Sequence, residues 1–349
     1  MKFSMSVAGA GVATGVAIAT ISSIALPFAA LAESTADFYK GKTVKIIVGH
    51  QPGTGFDVYG RALAPFLAKH LPGKPVVVAQ NMNGASGIRS LNYLANIAPK
   101  DGTELGTMVF TAPFEPLLGE GKGKFDARRL TWVGSMDSSV SVCGVSRKSG
   151  IKSFDDLFKK ELRIGATGRT GPLRTTPVAL KRLLGVKLNI VTGYKGSVSV
   201  RQAIMRGEVD GACGSSMSAV RVGYKELRDR GDFNIILQAS KNTDPELKGV
   251  PGVYNYAKSD DDRKIFDLIF GTQRLGRVFV APPGLPSERV KALQAAFDAS
   301  MKDPEMIALA KKTNLTLNTR SGEEVAQIVK DTYDTPKRLV ERAKKALAK

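Results

Sequence analysis

Three features of the sequence predict an α/β architecture built on mostly parallel sheet. Short apolar runs rich in β-branched residues alternate with stretches of helical periodicity. Loops of glycine and other small residues stand at the strand-to-helix junctions, and the alternation recurs over most of the chain. In such a sheet the loops gather at the carboxyl ends of the strands. The 349 residues accommodate one large or two medium domains.

Residues 42–70 form the first unit. Val44, Ile46, Ile47 and Val48 suit a central strand, Pro52, Gly53 and Gly55 end it, and Val58, Ala62, Leu63, Phe66 and Leu67 recur at helical spacing. Asp57 is expected to cap this helix by bonding the amides near Tyr59 and Gly60, and Pro65 to kink it. The loop Pro52-Gly53-Thr54-Gly55 exposes amides at a helix start and so suits an anion; the alternative is a plain strand-to-helix turn. Nucleotide motifs fit poorly. No Gly-Lys-Ser/Thr follows the loop, and Gly53-x-Gly55 lacks the third glycine of GxGxxG.

The pattern then repeats. A strand over 76–78 leads to a second small-residue loop, Gly84, Ala85, Ser86 and Gly87, and to a helix over 88–98; Asp101-Gly102 turns the chain into a strand over 103–110. Residues 111–137 lose the rhythm. A strand over 140–146 opens a second αβ unit, whose loop Thr167, Gly168, Arg169, Thr170 and Gly171 again precedes a helix. Arg169 and Arg174 carry guanidinium groups suited to bidentate carboxylate binding, unless they are solvated loop arginines. Tyr194-Lys195-Gly196-Ser197 is a further loop at a helix start. Strands over 235–239 and 277–280 follow, and helices over 287–301, 304–313 and 322–348 are expected to pack back on the first sheet.

Composition narrows the function. Residues 1–32 hold one charge, Lys2, then a run rich in Ala, Val, Ile, Gly and Ser that ends Ala30-Leu31-Ala32, which reads as a cleaved export signal; a membrane anchor is the competing reading. The full chain carries +19, and loss of that one lysine leaves +18. Export, and basic residues scattered rather than massed beside aromatics, argue against nucleic acid and for a field that draws in small anions. Cys143 and Cys213 lie in short apolar runs and either bridge neighbouring strands or stay as buried thiols. Only two histidines exist, His50 and His70, and no metal-ligand spacing, cofactor motif, Ser-His-Asp set or Gly-x-Ser-x-Gly elbow is evident. His50, at a strand end, either donates to a bound carboxylate or is packed. The equipment holds an anion rather than transforming it.

The loop at 52–57, the loop at 84–87, Asp101-Gly102-Thr103, Tyr194-Lys195-Gly196-Ser197, Gly207-Glu208-Val209-Asp210 and Ala281-Pro282-Pro283-Gly284-Leu285-Pro286 resemble, in order, the motifs of the tripartite tricarboxylate transporter receptors, also called Bug proteins. The resemblance implies a type II periplasmic binding fold: two αβ domains, two crossovers, and a ligand cleft that closes around an organic acid. It places domain 1 at 33–137 plus 272–349 and domain 2 at 138–271, with hinges near 137 and 272. The ligand-binding residues it implies are Pro52, Gly53, Thr54, Gly55 and Asp57; Gly84, Ala85, Ser86 and Gly87; Thr167, Gly168, Arg169, Thr170 and Gly171; and Tyr194. Arg169 stands where the family usually has glycine and Gly214 where a polar or acidic residue is common, an exchange favouring an acidic distal group. The implied protein is a monomeric periplasmic receptor without cofactor that captures a di- or tricarboxylate or an aromatic acid for the membrane subunits of a transporter. Its rivals are a sensory receptor and a secreted enzyme on the same fold.

Overall fold

The computed structural model describes residues 4–11, 33–138, 140–168 and 171–348. The cleavage site after Ala32 therefore lies outside the described residues. The chain divides into two compact units, Met1–Glu33 and Ser34–Lys349. In the first, the described residues carry no helix or strand. Everything that follows concerns the second.

The elements of its first half are α1 (Thr35–Tyr39), β1 (Thr43–Val48), α2 (Gly55–His70), β2 (Val76–Asn81), α3 (Ile88–Asn96), β3 (Glu104–Thr107), α4 (Glu115–Leu118), β4 (Thr131–Ser135), β5 (Ser141–Ser146), β6 (Leu162–Gly165) and α5 (Pro172–Leu184). There follow β7 (Leu188–Val191), α6 (Ser197–Arg206), β8 (Gly211–Ser216), α7 (Met217–Gly223), α8 (Lys225–Asp229), β9 (Phe233–Gln238), α9 (Asp260–Ile269), β10 (Val278–Ala281), α10 (Ser287–Lys302), α11 (Pro304–Thr313), β11 (Arg320–Ser321), α12 (Gly322–Tyr333) and α13 (Lys337–Leu347).

Two sheets result. The first has the order β11-β4-β10-β3-β1-β2 and the second β7-β6-β8-β5-β9. Their parallel cores are β2-β1-β3 and β7-β6-β8, as the alternation of strand and helix predicts. β1 is buried along Val44, Ile46, Ile47 and Val48 because helices cover both its faces, and α2 lays Phe56, Tyr59, Leu63, Phe66 and Leu67 into the same core. The strands that change sheets run the other way: β5 is antiparallel to β8 and β9, and β10 is antiparallel to β3 and β4.

Where the chain leaves the first sheet, after β4, and where it returns, before β10, the two segments are zipped together. The Arg277 N–H donates to the Asp137 carbonyl at 2.7 Å and the Met136 N–H to the Arg277 carbonyl at 3.1 Å. Gly276 sits at φ 58° and ψ −122°, and an added Cβ would collide with the Asp137 carbonyl, so only glycine lets the segments approach this closely.

Several expectations are corrected. α2 begins at Gly55 with Thr54 as its N-cap residue, so Asp57 lies inside the first turn; its carboxylate reaches back to the Gly53 N–H at 2.9 Å rather than forward to Tyr59 and Gly60. The helix assignment continues unbroken through Pro65. β4 lies in the stretch that had lost its rhythm, because Thr131-Trp132-Val133-Gly134-Ser135 is buried almost throughout and shows no alternation. The last helical stretch is two helices, since Pro336 has no N–H to donate and bars Thr335 from the helical region. α12 packs against β4, whereas α13 puts Leu339, Val340, Ala343 and Ala346 into the core of the second sheet, and its Arg338 and Arg342 pair with Asp261 of α9. The chain thus passes between the sheets a third time, at residues 334–336.

Cys143 and Cys213 are opposite each other on β5 and β8 and form a disulfide, fully buried in the second core. It closes a loop 70 residues long, which in the chain-entropy account is worth up to about 4 kcal/mol. The Cys143→Ala/Cys213→Ala double variant is expected to lose roughly 2–4 kcal/mol in chemical denaturation. An unchanged midpoint at unchanged slope would show that the bond contributes nothing.

Candidate functional site

Each parallel core delivers its loops to one cleft, a cavity of about 480 Å³. From the first sheet come His50, Thr54, Gly55 and Phe56 after β1, and Asn83 to Ser86 after β2; from the second come Thr167, Gly168, Gly171 and Pro172 after β6, Tyr194 to Ser197 after β7, and Gly214 to Ser216 at the end of β8. The starts of α2, α5 and α6 thus line one space, and the unpaired amides of helix starts favour negative charge there. An added Cβ on Gly171 would stand 3.4 Å from the Ser86 hydroxyl, so the second-sheet loop faces the first-sheet loop across a narrow gap.

The sequence-predicted residues divide accordingly. Thr54, Gly55, Gly84, Ala85, Ser86, Thr167, Gly168, Gly171 and Tyr194 line the cavity; Pro52, Gly53, Asp57 and Gly87 do not, and Arg169 and Thr170 lie outside the described residues. Arg174 lines a different cavity, of about 250 Å³, beside α4, α9 and α13. Asp57 is 3% exposed and acts behind the loop. It accepts from the Gly53 N–H, from Arg61 Nε at 3.0 Å and from Asn81 Nδ2 at 2.8 Å, while Asn81 also donates to the His50 carbonyl at 2.9 Å. Burial alone would raise its pKa, but Arg61, Gly53 and Asn81 more than offset this and hold the carboxyl below its ordinary value.

In the second loop Gly84, Ala85, Ser86 and Gly87 all have positive φ, at 150°, 44°, 54° and 89°. For Ala85 and Ser86 that geometry costs on the order of 1 kcal/mol each, strain concentrated at the cleft wall. Gly214, with φ 97°, is fixed by packing: a side chain there would collide with the Pro172 carbonyl at the start of α5. Glycine at this position therefore has a structural cause.

Sequence reasoning missed Arg277 as a cleft residue. It is 8% exposed, its guanidinium lies 4.2 Å from the Phe56 ring centroid and 5.4 Å from that of Tyr59, and its Nη2 donates to Ser216 Oγ at 3.1 Å. Burial disfavours its charged form, and Asp137 and Tyr59 act against that shift. The His50 ring also stacks on Phe56, with centroids 4.5 Å apart, and its Nε2 is buried without a partner among the described residues. Burial, then the charge of Arg277, lowers the His50 pKa to about 4.

His50 is therefore neutral in the folded chain at neutral pH. Its folded pKa lies below the ordinary 6.5, so the unfolded state binds the extra proton between these values and stability falls as pH drops through the window. From pH 7 to pH 5, above the carboxylate range, the loss from this residue is about 2 kcal/mol. Denaturation curves of the wild type and His50→Gln across that range check this: the variant loses the histidine part of the slope, and parallel curves would contradict it.

The sequence model of the tripartite tricarboxylate transporter family receptor matches residues 60–344. The UPF0065 protein in the gbd 5' region of Cupriavidus necator is 23% identical over 346 residues, which is 94% of this chain and 95% of that protein. Among solved structures, MatC from Rhodopseudomonas palustris with bound malate is similar at a TM-score of 0.65 and 19% identity, over 88% of this chain and 99% of its own. A second R. palustris protein, with adipate, has a TM-score of 0.64 at 18% identity, over 86% of this chain and 97% of its own. These structures share the two-lobed periplasmic binding fold, whose relatives here are solute-binding proteins and not enzymes. With that fold on both sheets and the family's sequence pattern running from α2 into α13, the chain belongs to the tripartite tricarboxylate transporter family of receptors.

Proposed function

We propose that this chain is a periplasmic solute receptor, exported by a signal cleaved after Ala32, that captures a small organic acid in the cleft as a monomer and delivers it to the membrane subunits of a transporter. The acid is a di- or tricarboxylate or an aromatic carboxylate. One observation carries the reading: loops at helix starts from both sheets converge with a buried guanidinium on a single cavity of about 480 Å³, large enough for such an acid. Malate and adipate in proteins of the same fold support it.

In this reading the ligand's anionic end takes the amides of the first two loops, at Thr54 and Gly55 and at Gly84 to Ser86, while Thr167 to Gly171 and Tyr194 contact the remainder. Pro52, Gly53, Asp57 and Gly87 shape those loops. The segments around Asp137 and Gly276 act as hinges, and the passage at 334–336 moves with them.

A thermal-shift screen of the chain from Glu33 onward tests this against organic acids, amino acids and phosphorylated metabolites. An acid at about a hundred times its dissociation constant stabilises the folded state by roughly 2.7 kcal/mol. Shifts confined to carboxylates are expected; shifts with phosphates alone, or with nothing, would overturn the assignment.

A further inference from the structure

Arg277 is in a costly position for a cation. Its side chain is more than nine-tenths buried, yet its one side-chain hydrogen bond among the described residues goes to a neutral hydroxyl, Ser216 Oγ. The carboxylate of Asp137, itself buried, favours the charged guanidinium through its charge, but no described carboxylate forms a salt bridge with it. A guanidinium has five N–H donors, and a buried one with no carboxylate hydrogen-bonded to it is costly; the donors that Ser216 does not use belong to a residue that lines the cavity. The surroundings are arranged to hold it there. The guanidinium carbon lies over the Phe56 ring, and an added Cβ on Gly55 would stand 2.9 Å from Nη2, so a side chain there would push the guanidinium aside.

We propose that Arg277 is the charge-reading residue of this receptor: it takes an anionic oxygen pair of the ligand in the fork of its guanidinium, at the hinge end of the cleft, beside the Gly55 and Phe56 amides. The inference rests on the receptor reading and deepens it. Because the same guanidinium touches Ser216 on the second sheet while its backbone is zipped to Asp137, the ligand's anion is bound where the two lobes meet. An uncharged isostere of the acid leaves the buried cation unmet and is rejected.

The test compares the chain from Glu33 onward with its Arg277→Met, Arg277→Lys and Gly55→Ala variants. Melting is measured without ligand; binding is measured by calorimetry with malate, adipate and whichever panel acid shifts the wild type most. Arg277→Met removes the charge and keeps much of the bulk, so it is expected to melt at or above the wild type without ligand while affinity for the acid falls at least about thirtyfold. Arg277→Lys keeps the charge but not the fork and recovers part of that loss. Gly55→Ala, which displaces the guanidinium, keeps the fold and weakens binding.

If Arg277→Met melts more than about 4 °C below the wild type without ligand, the arginine is a structural member and the proposal fails. Acid affinity within about threefold of the wild type in Arg277→Met would also overturn it, while leaving the receptor reading intact. No response of the wild type to any acid would overturn both.

Discussion

A strand that runs against its neighbours carries its first residues to the end where their loops gather, and β10 does this between β3 and β4. That one antiparallel insertion decides where the chain re-enters the first sheet, which glycine must fold back against Asp137, and which side chain enters the cleft. Gly276 and Arg277 are neighbours in the chain, yet one supplies the close approach of the crossing segments and the other the guanidinium over Phe56. With β10 parallel to β3, the same residues would lie at the opposite edge of the sheet.

The cleft's polarity follows from the rest of the topology. Parallel strands place the starts of α2, α5 and α6 on one side of each sheet, and the joined segments bring those sides together. Dipoles, amides and Arg277 have one sign, against a chain that is itself strongly basic. The acids near the cleft are already committed. Asp57 holds the first loop through Gly53, Arg61 and Asn81, and Glu208 accepts from Arg206 close to the Tyr194 hydroxyl.

Much of this was legible in the residues. The β-branched run of β1, the small residues after β1, β2 and β6, and the helical periodicity of α2 are local signals, and they located both parallel cores and the loops that line the cavity. What escaped was set by long-range pairing. β4 has no alternation to read because it is covered on both faces. The single helix expected over 322–348 passed over Pro336, and only packing shows that α13 leaves the first core for the second, with Arg338 and Arg342 on Asp261. Arg277 read only as the first residue of a strand; its place in the cleft depends on the direction of β10, which spacing does not encode. Asp57 read as the helix cap, but its hydrogen bond runs backward to Gly53 because α2 starts three residues earlier than the capping pattern implies.

An acid bound between the loops and Arg277 is expected to hold the two lobes together. Small-angle X-ray scattering of the chain from Glu33 onward, with and without its tightest-binding carboxylate, tests this most directly. A smaller radius of gyration and a shorter maximum dimension are expected in the loaded chain. Superimposable scattering curves at saturating ligand would contradict closure around the acid.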